Sequence, residues 1–395
     1  MPGFEIFGDE ERKEVQEVLD TGVLFRYGFD QARNGIWKAR TFEQEVSKAL
    51  SVKHCHLCSS GTAALSIALA SCGVGAGDEV IVPPFTFIAT IESVLQAGAV
   101  PVFADIDETL CLNPEAAEAA ITPRTRAMIV VHMCGSIARI ELLKDICEKR
   151  GIILIEDACQ AFGATYKGRY AGTFGKAGCF SFDSVKTITC GEGGAVVTDD
   201  DELYTRAFQY ADHGHDHIGD DRGLEGHPVL GSNHRISELN AAVGLAQLRK
   251  IDRILETQRR FKKVITDALS DIPRITLQKT DDPQGDSATF LSFFLPDEEQ
   301  ARQAAKDLAS QGVDGCFYWY DNNWHYIRKW DHLLRLNSAA RLPIELMDKR
   351  PDYGALDLSA SHGIMGRAIS MQIKLGWTQE DVKRRIEKIK NIFNG

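Results

Sequence analysis

Short apolar runs alternate with helical patterns between about residues 50 and 200. The apolar runs are rich in β-branched residues and recur at 79–82, 100–103, 127–131, 152–155 and 194–198. Continuous apolar runs separated by helices are typical of strands that are buried on both faces of a mostly parallel sheet. The pattern therefore predicts an α/β fold with a mostly parallel central sheet flanked by helices.

Helical periodicity marks the segments between and after these strands. Helices are predicted at 62–72, 114–121, 140–149, 298–311 and 379–393, with one long helix from 238 to about 270 and a further strand at 290–294. The almost wholly apolar 62–72 segment should pack inside the protein, whereas the long helix becomes charged after residue 248 and could bridge two lobes. We therefore divide the chain into a large domain at 1–250 and a smaller C-terminal α/β domain at 251–395. The first 20 residues could join either domain.

The chain has 395 residues and a formal net charge of −11, from 45 Lys and Arg against 56 Asp and Glu. An acidic protein lacks the basic surface that a nonspecific nucleic-acid binder needs, so we expect no nucleic-acid partner. Ten scattered cysteines are typical of reduced thiols in a cytosolic protein. We recognise no signal peptide and no apolar run of the roughly 18 to 20 residues that cross a bilayer. The sequence thus predicts a cytoplasmic protein without a membrane partner.

Polar side chains follow the predicted strands, at the sheet edge where open α/β folds bind ligands. The turn 59–62 (SSGT) is either a phosphate cradle of free backbone N–H groups or a plain helix N-cap. Glu156 and Asp157 end a buried strand, so one of them could hold a cationic ring nitrogen, or both could be structural. Lys186 follows an apolar strand and is either a nucleophilic amine held near the interior or a surface lysine. The glycines at 191–194 make room for a ligand or a neighbouring chain, or form a bare turn.

These groups together fit pyridoxal phosphate. Its aldehyde takes a lysine amine as a Schiff base, its pyridinium nitrogen pairs with a carboxylate, and its phosphate needs a cradle. The glycines at 73–77 lack the spacing of a dinucleotide-binding fingerprint, and no Walker lysine spacing is present. The residues therefore predict an enzyme that uses pyridoxal phosphate.

Five segments in this order resemble the DegT/StrS-type sugar aminotransferases: 59–65 (SSGTAAL), 83–90 (PPFTFIAT), 156–168, 180–198 and 231–248. The resemblance implies a fold-type I pyridoxal-phosphate transferase that acts as a homodimer with shared active sites. Some members are dehydratases in which histidine replaces the Schiff-base lysine. Because Lys186 is present, we expect transamination. Asp183 stands where many members carry His or Tyr, and this departure concerns the substrate side of the site.

The resemblance also implies a role for each residue that matches its motifs. Lys186 and Asp157 are the implied catalytic residues, Lys186 as the amine that bonds to the cofactor and Asp157 as the partner of the pyridine nitrogen. The other implied cofactor-binding residues are Ser60, Gly61, Thr62 and Ser181 at the phosphate, Phe87 on the ring face, Gln160 near the ring hydroxyl, and Asn233, which reaches the phosphate of the neighbouring subunit.

Three further segments resemble one branch of the family: 26–30 (RYGFD), 211–219 (ADHGHDHIG) and 314–326 (DGCFYWYDNNWHY). That branch moves an amino group from glutamate to the C8 aldehyde of 8-oxo-3,8-dideoxy-manno-octulosonate, giving an 8-amino sugar for lipopolysaccharide. Two alternatives stay open. One is an aminotransferase for a nucleotide-linked keto-sugar, and the other is a non-catalytic regulator that binds pyridoxal phosphate.

The candidate substrate-binding residues are Arg26, His213, His215, Arg235 and His325, with Arg40 as a further candidate for a substrate carboxylate. His213, His215 and His217 have a spacing that could suit a metal, but the glycine and aspartate between them favour a loop that contacts the sugar or is purely structural. Cys55 and Cys58 resemble half of a metal-binding knuckle without a second half. We therefore predict buried structural cysteines and no metal site.

Overall fold

A computed structural model describes residues 3–219 and 222–394 of the chain. The helices are α1 Asp9–Thr21, α2 Lys38–Leu50, α3 Gly61–Ser71, α4 Ala89–Gln96, α5 Pro114–Ala119, α6 Ile140–Arg150, α7 Asp201–Tyr210, α8 Glu238–Leu248, α9 Ile251–Leu269, α10 Glu298–Ser310, α11 Asp331–Leu334, α12 Ser359–Met365 and α13 Gln379–Asn394. The strands are β1 His54–Cys58, β2 Glu79–Val82, β3 Val100–Phe103, β4 Thr125–Val131, β5 Ile153–Asp157, β6 Thr165–Tyr166, β7 Arg169–Tyr170, β8 Ala177–Ser181, β9 Gly194–Thr198, β10 Thr276–Leu277, β11 Phe290–Phe294, β12 Cys316–Phe317 and β13 Ala368–Gln372. None of the described helices is long and apolar enough to cross a membrane.

The large domain is built on a seven-stranded sheet in the order β1-β9-β8-β5-β4-β2-β3. The strands from β8 to β3 in this order run parallel, whereas β9 is antiparallel to both of its neighbours, β8 and β1. Most residues of these strands are buried, as their continuous apolar sequences indicate. The predicted mostly parallel sheet flanked by helices is confirmed.

The C-terminal part of the chain has its own antiparallel sheet, in the order β10-β11-β13-β12. Apolar side chains of α9, α10 and α13 pack with this sheet in a cluster that includes Phe261, Leu308, Phe293 and Ile389. A core of this kind is typical of a separate folding unit. The division at 250/251 stays a prediction.

The segment from 238 to about 270 is two helices, so the prediction of one continuous helix is wrong. Helix α8 ends at Leu248 and α9 begins at Ile251, and Lys250 between them is non-helical, with φ −100° and ψ 0°. The Lys250 amine donates to Glu11 (2.7 Å) and to the Ile6 carbonyl (3.0 Å), which holds the junction against the N-terminal part of the chain. Glu11 lies on α1, so this helix contacts the junction, and its assignment to the large domain stays a prediction.

In the large sheet, strand β1 is missing from the sequence-based assignment, and β8 appears there only as an apolar strand before Lys186, without bounds. Their sequences, HCHLC and AGCFS, lack a run of β-branched residues, which is the signal that marks the other strands. Cys55 and Cys58 lie buried on β1 as free thiols. Across residues 3–219 and 222–394, no group of three or more His, Cys, Asp or Glu side chains is arranged to hold a metal ion.

The stretch 319–365 leaves the small sheet and packs against the large domain. Tyr326 and Trp330 are fully buried in the core that α3, α4 and β2 also form. The backbone N–H of Thr86 donates to the His325 carbonyl, and the N–H of Ile88 donates to the Trp324 carbonyl, both at 3.0 Å. These bonds bring C-terminal side chains to the carboxyl end of the large sheet.

Candidate active site

A cavity of about 450 Å³ lies at the carboxyl ends of β5 and β8, with the 319–325 stretch in its wall. It collects nine of the predicted site residues: Ser60, Gly61, Thr62, Phe87, Asp157, Gln160, Ser181, Lys186 and His325. A larger cleft of about 610 Å³ is lined by the first residues of β5 and therefore lies at the opposite, amino end of the sheet. None of the predicted site residues lines that cleft.

The SSGT turn forms one end of the cavity. Ser60 is the N-cap of α3, since its Oγ accepts the Ala63 N–H at 3.0 Å. The N–H groups of the first helical turn have no acceptor within the helix, and the positive end of the helix dipole lies there. A Cβ at Gly61 would lie 2.7 Å from Cβ of Ser181, so only glycine lets the turn approach Ser181 this closely. The turn is therefore a helix cap, and its role as an anion cradle stays a prediction that these free N–H groups support.

Glu156 and Asp157 point to opposite sides of β5, because side chains alternate along a strand. Glu156 is fully buried and accepts three backbone N–H groups between residues 172 and 175, at 2.6 to 2.8 Å. Asp157 lines the cavity and is 5% exposed. Glu156 thus holds a loop, and Asp157 is the acid that a ligand can meet.

Two threonines hold the Asp157 carboxylate. The hydroxyl of Thr90 donates to Oδ2 of Asp157 at 2.8 Å, and the hydroxyl of Thr86 lies 2.7 Å from that of Thr90. Because Thr90 donates its one proton to the acid, it accepts from Thr86. The N–H of Cys159 donates to the other carboxylate oxygen, at 3.1 Å. Thr86 and Thr90 are fully buried, so this arrangement is shielded from solvent.

Lys186 lies in the loop between β8 and β9, half-buried, and lines the cavity. Its carbonyl accepts the N–H of Gly3 at 2.9 Å, so the N-terminal segment crosses this loop. The side-chain amide of Asn240 donates to the carbonyls of Cys190 and Glu192, at 2.8 and 2.9 Å, and holds the glycine-rich part of the loop. These bonds fix the backbone at the lysine and in the part of the loop that follows it.

Aromatic rings form another side of the cavity. Phe87 is stacked on Trp324, with ring centroids 5.7 Å apart and planes 7° from parallel. His325 packs against Trp319 at 4.6 Å. Burial, together with the charge of Lys186, lowers the pKa of His325 to about 4. The imidazole is therefore neutral near pH 7.

This arrangement fits the functional groups of pyridoxal phosphate. The α3 turn and Ser181 offer donors for a phosphate, and Asp157 offers a buried, hydrogen-bonded carboxylate for a protonated ring nitrogen. Lys186 offers the amine, and Phe87 offers a flat apolar surface for a ring. The cradle, acid and lysine predicted from separate segments therefore meet in one cavity.

The predicted substrate residue Arg26 does not line this cavity. It is buried and donates to Glu43 at 2.6 Å and to the Leu57 carbonyl at 2.7 Å. The guanidinium is thus already paired inside the protein, so the position of Arg26 does not support its predicted role in binding substrate. Arg40 is exposed, outside the cavity, with its guanidinium 4.0 Å from the Trp37 ring centre.

None of the described residues of the 211–235 loop lines the cavity of its own chain. His213 is exposed, and His215 pairs with Glu225 at 3.0 Å. Arg235 pairs with Asp212, and Asn233 is exposed beside it. These residues do not contact a ligand in the cavity of the same protomer, so their predicted roles depend on a second copy of the chain.

Several cavity-lining residues were not among the predicted site residues: Thr86, Thr90, Glu192, Trp319, Asn322 and Gln372. The signal for the threonines was present, because both lie in the 83–90 segment, four residues apart, at the start of a helix. Trp319 and Asn322 lie in the aromatic 314–326 segment, which suits core packing as well as a ligand. Only the long-range contact with residues 84–88 shows that this segment reaches the cavity.

Comparison with known sequences gives a match over nearly the whole chain. The profile of the DegT/DnrJ/EryC1/StrS aminotransferase family matches residues 6–390. The L-glutamine:2-deoxy-scyllo-inosose aminotransferase of Streptomyces kanamyceticus is 41% identical over 296 residues, 72% of this chain and 68% of that protein. The GDP-perosamine synthase of Vibrio cholerae is 32% identical over 385 residues, 97% of this chain and 96% of that protein.

Solved structures show the same architecture. The crystal structure of 3-amino-5-hydroxybenzoic acid synthase has a TM-score of 0.82 and 30% identity, covering 98% of this chain and 96% of that one. The aminotransferase from Psychrobacter cryohalolentis has a TM-score of 0.85 and 27% identity, covering 98% and 97%. The predicted fold-type I architecture is confirmed.

Proposed function

We propose that this protein aminates the C8 aldehyde of 8-oxo-3,8-dideoxy-manno-octulosonate, with glutamate as amino donor. The chain belongs to the DegT/DnrJ/EryC1/StrS aminotransferase family and is a pyridoxal-phosphate-dependent aminotransferase. The product is 8-amino-3,8-dideoxy-manno-octulosonate for lipopolysaccharide. One observation carries the choice of sugar. The 314–326 segment, which resembles this branch of the family, contributes Phe317, Trp319, Asn322 and His325 to the cavity wall.

The cofactor, when bound, supplies an electron-withdrawing ring that stabilises negative charge on the reacting carbon. We assign its phosphate to Ser60, Gly61, Thr62 and Ser181, its ring face to Phe87, its ring hydroxyl to Gln160 and its ring nitrogen to Asp157. Lys186 holds the aldehyde through its amine. When it is not bonded to the cofactor, the same amine would take the proton from the α-carbon of the amino donor as general base and return it as general acid. The carboxylate of Asp157 keeps the ring nitrogen protonated, with Thr90 fixing its orientation.

We further propose that a second copy of the chain completes each site. Asn233 is exposed and lies outside the cavity of its own chain. Three apolar side chains of the preceding loop are exposed: Ile218 by 77%, Leu224 by 85% and Leu230 by 96%. Contact with a partner would remove these side chains from water, which is favourable. Mixing Lys186→Ala with Asn233→Ala protein should restore activity, because a hybrid dimer contains one intact site. A monomer by light scattering, or mixtures as inactive as the variants alone, would contradict this.

A nucleotide-linked keto-sugar is the second candidate acceptor. It is supported by the 32% identity to GDP-perosamine synthase over 97% of this chain. The names of other relatives point to glutamine as amino donor. The third alternative, a non-catalytic regulator, is set aside because the family and the relatives are aminotransferases.

One assay separates these possibilities. Purified holoenzyme is incubated with glutamate or glutamine and with the octulosonate aldehyde, a GDP-linked keto-sugar or scyllo-inosose, and the aminated products are measured by mass spectrometry. We expect amination of the octulosonate with glutamate. Amination of only the GDP-linked sugar or only the inosose would refute the proposed substrate and leave the transaminase chemistry in place. Lys186→Ala protein serves as the control for nonenzymatic amination.

The cytoplasm is the proposed location. All ten cysteines are free thiols, and most of them are buried. Free thiols in this number are typical of a reducing compartment. Measuring the protein in cytoplasmic and periplasmic fractions tests the assignment.

A further inference from the structure

His325 is held in one orientation in the cavity wall. Its ring centre lies 4.6 Å from that of Trp319 and 5.5 Å from that of Phe87. Its backbone carbonyl accepts the N–H of Thr86 at 3.0 Å. A side chain packed between two rings and tied through its backbone keeps its polar atoms in fixed positions.

Asn322 determines which ring nitrogen of His325 carries the proton. One side-chain atom of Asn322 accepts the backbone N–H of Trp324 at 2.9 Å, which identifies that atom as the amide oxygen, Oδ1. The same oxygen lies 3.0 Å from Nδ1 of His325. Because an oxygen of this kind only accepts, Nδ1 must carry the proton. In the neutral ring Nε2 then has a free lone pair and can only accept.

The neutral state is supported by the surroundings of the ring. Burial and the nearby charge of Lys186 both disfavour the imidazolium form. Within the described ranges, the bond from Nδ1 to Asn322 is the one hydrogen bond of this ring. His325 lines the cavity, and among the described residues Nε2 has no protein hydrogen-bond donor.

We propose that Nε2 of His325 accepts a hydrogen bond from a hydroxyl group next to the reacting carbonyl of the acceptor substrate, and that Asn322 is the positioning residue that keeps Nε2 unprotonated. The inference rests on the proposed function, since it assigns this part of the same cavity to the carbonyl substrate. A hydroxyl donor complements an acceptor-only nitrogen. Glutamate has no such donor, because its carboxylates accept and its amine is the reacting group. His325 thus selects hydroxylated aldehydes or ketones.

The test measures the two half-reactions separately by rapid mixing. Enzyme that holds the cofactor in its amine form is mixed with the octulosonate aldehyde or its 7-deoxy analogue. Enzyme that holds the cofactor in its aldehyde form is mixed with glutamate. His325→Phe should lower kcat/KM for the hydroxylated aldehyde by roughly tenfold to a hundredfold, the cost of losing one buried hydrogen bond. The loss should be much smaller for the 7-deoxy analogue, as in a double-mutant cycle. His332→Phe changes an exposed histidine in the same 319–365 stretch; it is the matched control and should change neither half-reaction.

A second variant tests the tautomer. Asn322→Asp places a carboxylate beside the Nδ1 proton, which favours the charged ring and raises the pKa of His325. Below that raised pKa, Nε2 is protonated and cannot accept. Between about pH 8 and about pH 6, the acceptor half-reaction of the variant should therefore slow more steeply than that of the unchanged enzyme, in which His325 stays neutral. A purely structural role would not produce this pH dependence.

Failure of this inference can be distinguished from failure of the proposed substrate. If the octulosonate is not aminated, the same variants are measured with whichever hydroxylated carbonyl the enzyme accepts. Dependence on His325 there supports this inference while the proposed sugar fails. Equal losses for hydroxylated and deoxy acceptors, or a flat pH profile in Asn322→Asp, overturn the inference even if the octulosonate is the substrate.

Discussion

Thr90 is the position where a single hydroxyl should matter most for the rate. In Thr90→Val the side chain keeps nearly the same shape but loses the donor that lies 2.8 Å from Oδ2 of Asp157. A hydrogen bond to a charged group contributes about 1.5 to 3 kcal/mol, and Asp157 is almost fully buried, so water cannot readily replace the donor. If that energy is used to hold the carboxylate toward the ring nitrogen, kcat should fall roughly 10- to 150-fold.

The assay is the steady-state release of 2-oxoglutarate from glutamate, together with a cofactor titration of the apoenzyme. Thr90→Ser keeps the donor and should recover most of the rate. Thr86→Val removes the weaker bond between two neutral hydroxyls and should cost about 2- to 12-fold. Thermal melts of the apoenzymes separate loss of rate from loss of stability. A kcat of Thr90→Val within twofold of the unchanged enzyme, with a normal cofactor titration, would refute the role given to this bond.

Three other substitutions test separate parts of the structure. Lys186→Ala should abolish 2-oxoglutarate formation yet retain reversible cofactor binding through the phosphate turn, as measured by equilibrium dialysis. Turnover at the normal rate in this variant would show that the lysine is not part of the mechanism. Gly61→Ala places a Cβ 2.7 Å from that of Ser181 and should weaken cofactor binding tenfold or more, and unchanged affinity would show that the turn can open without cost. Burial by itself raises the pKa of Asp212, but two arginines outweigh burial and hold that pKa below its ordinary value. The pKa of Asp212 is lower in the folded protein than in the unfolded chain, so the charged carboxylate stabilises the fold above the unfolded pKa of about 4. This stabilisation is lost as pH falls through the folded pKa. Asp212→Asn should therefore lower Tm at pH 7, and its Tm should differ less from that of the unchanged protein below about pH 4.

The elements with strong local signals were predictable. Strands such as β2 and β3 are short apolar runs bounded by turn residues, and α3 is an apolar helix behind a serine cap, so sequence pattern alone located them. Strands β1 and β8 lack that pattern and become strands because they pair with β9. The break between α8 and α9 is likewise a tertiary effect, since Lys250 is drawn to Glu11, far away in the chain.

The same distinction holds for the site. The motifs alone predicted the lysine, the acid and the cradle, because each is a functional group with a recognisable local setting at the end of a strand. The chain order could not show that Glu156 is turned inward while Asp157 faces the cavity, that Thr90 donates to Asp157, or that Arg26 is already paired with Glu43. Those facts depend on contacts between distant segments and on the direction in which each side chain leaves its strand. A residue's type is written in the sequence, whereas its partner and its exposure exist only once the chain has folded.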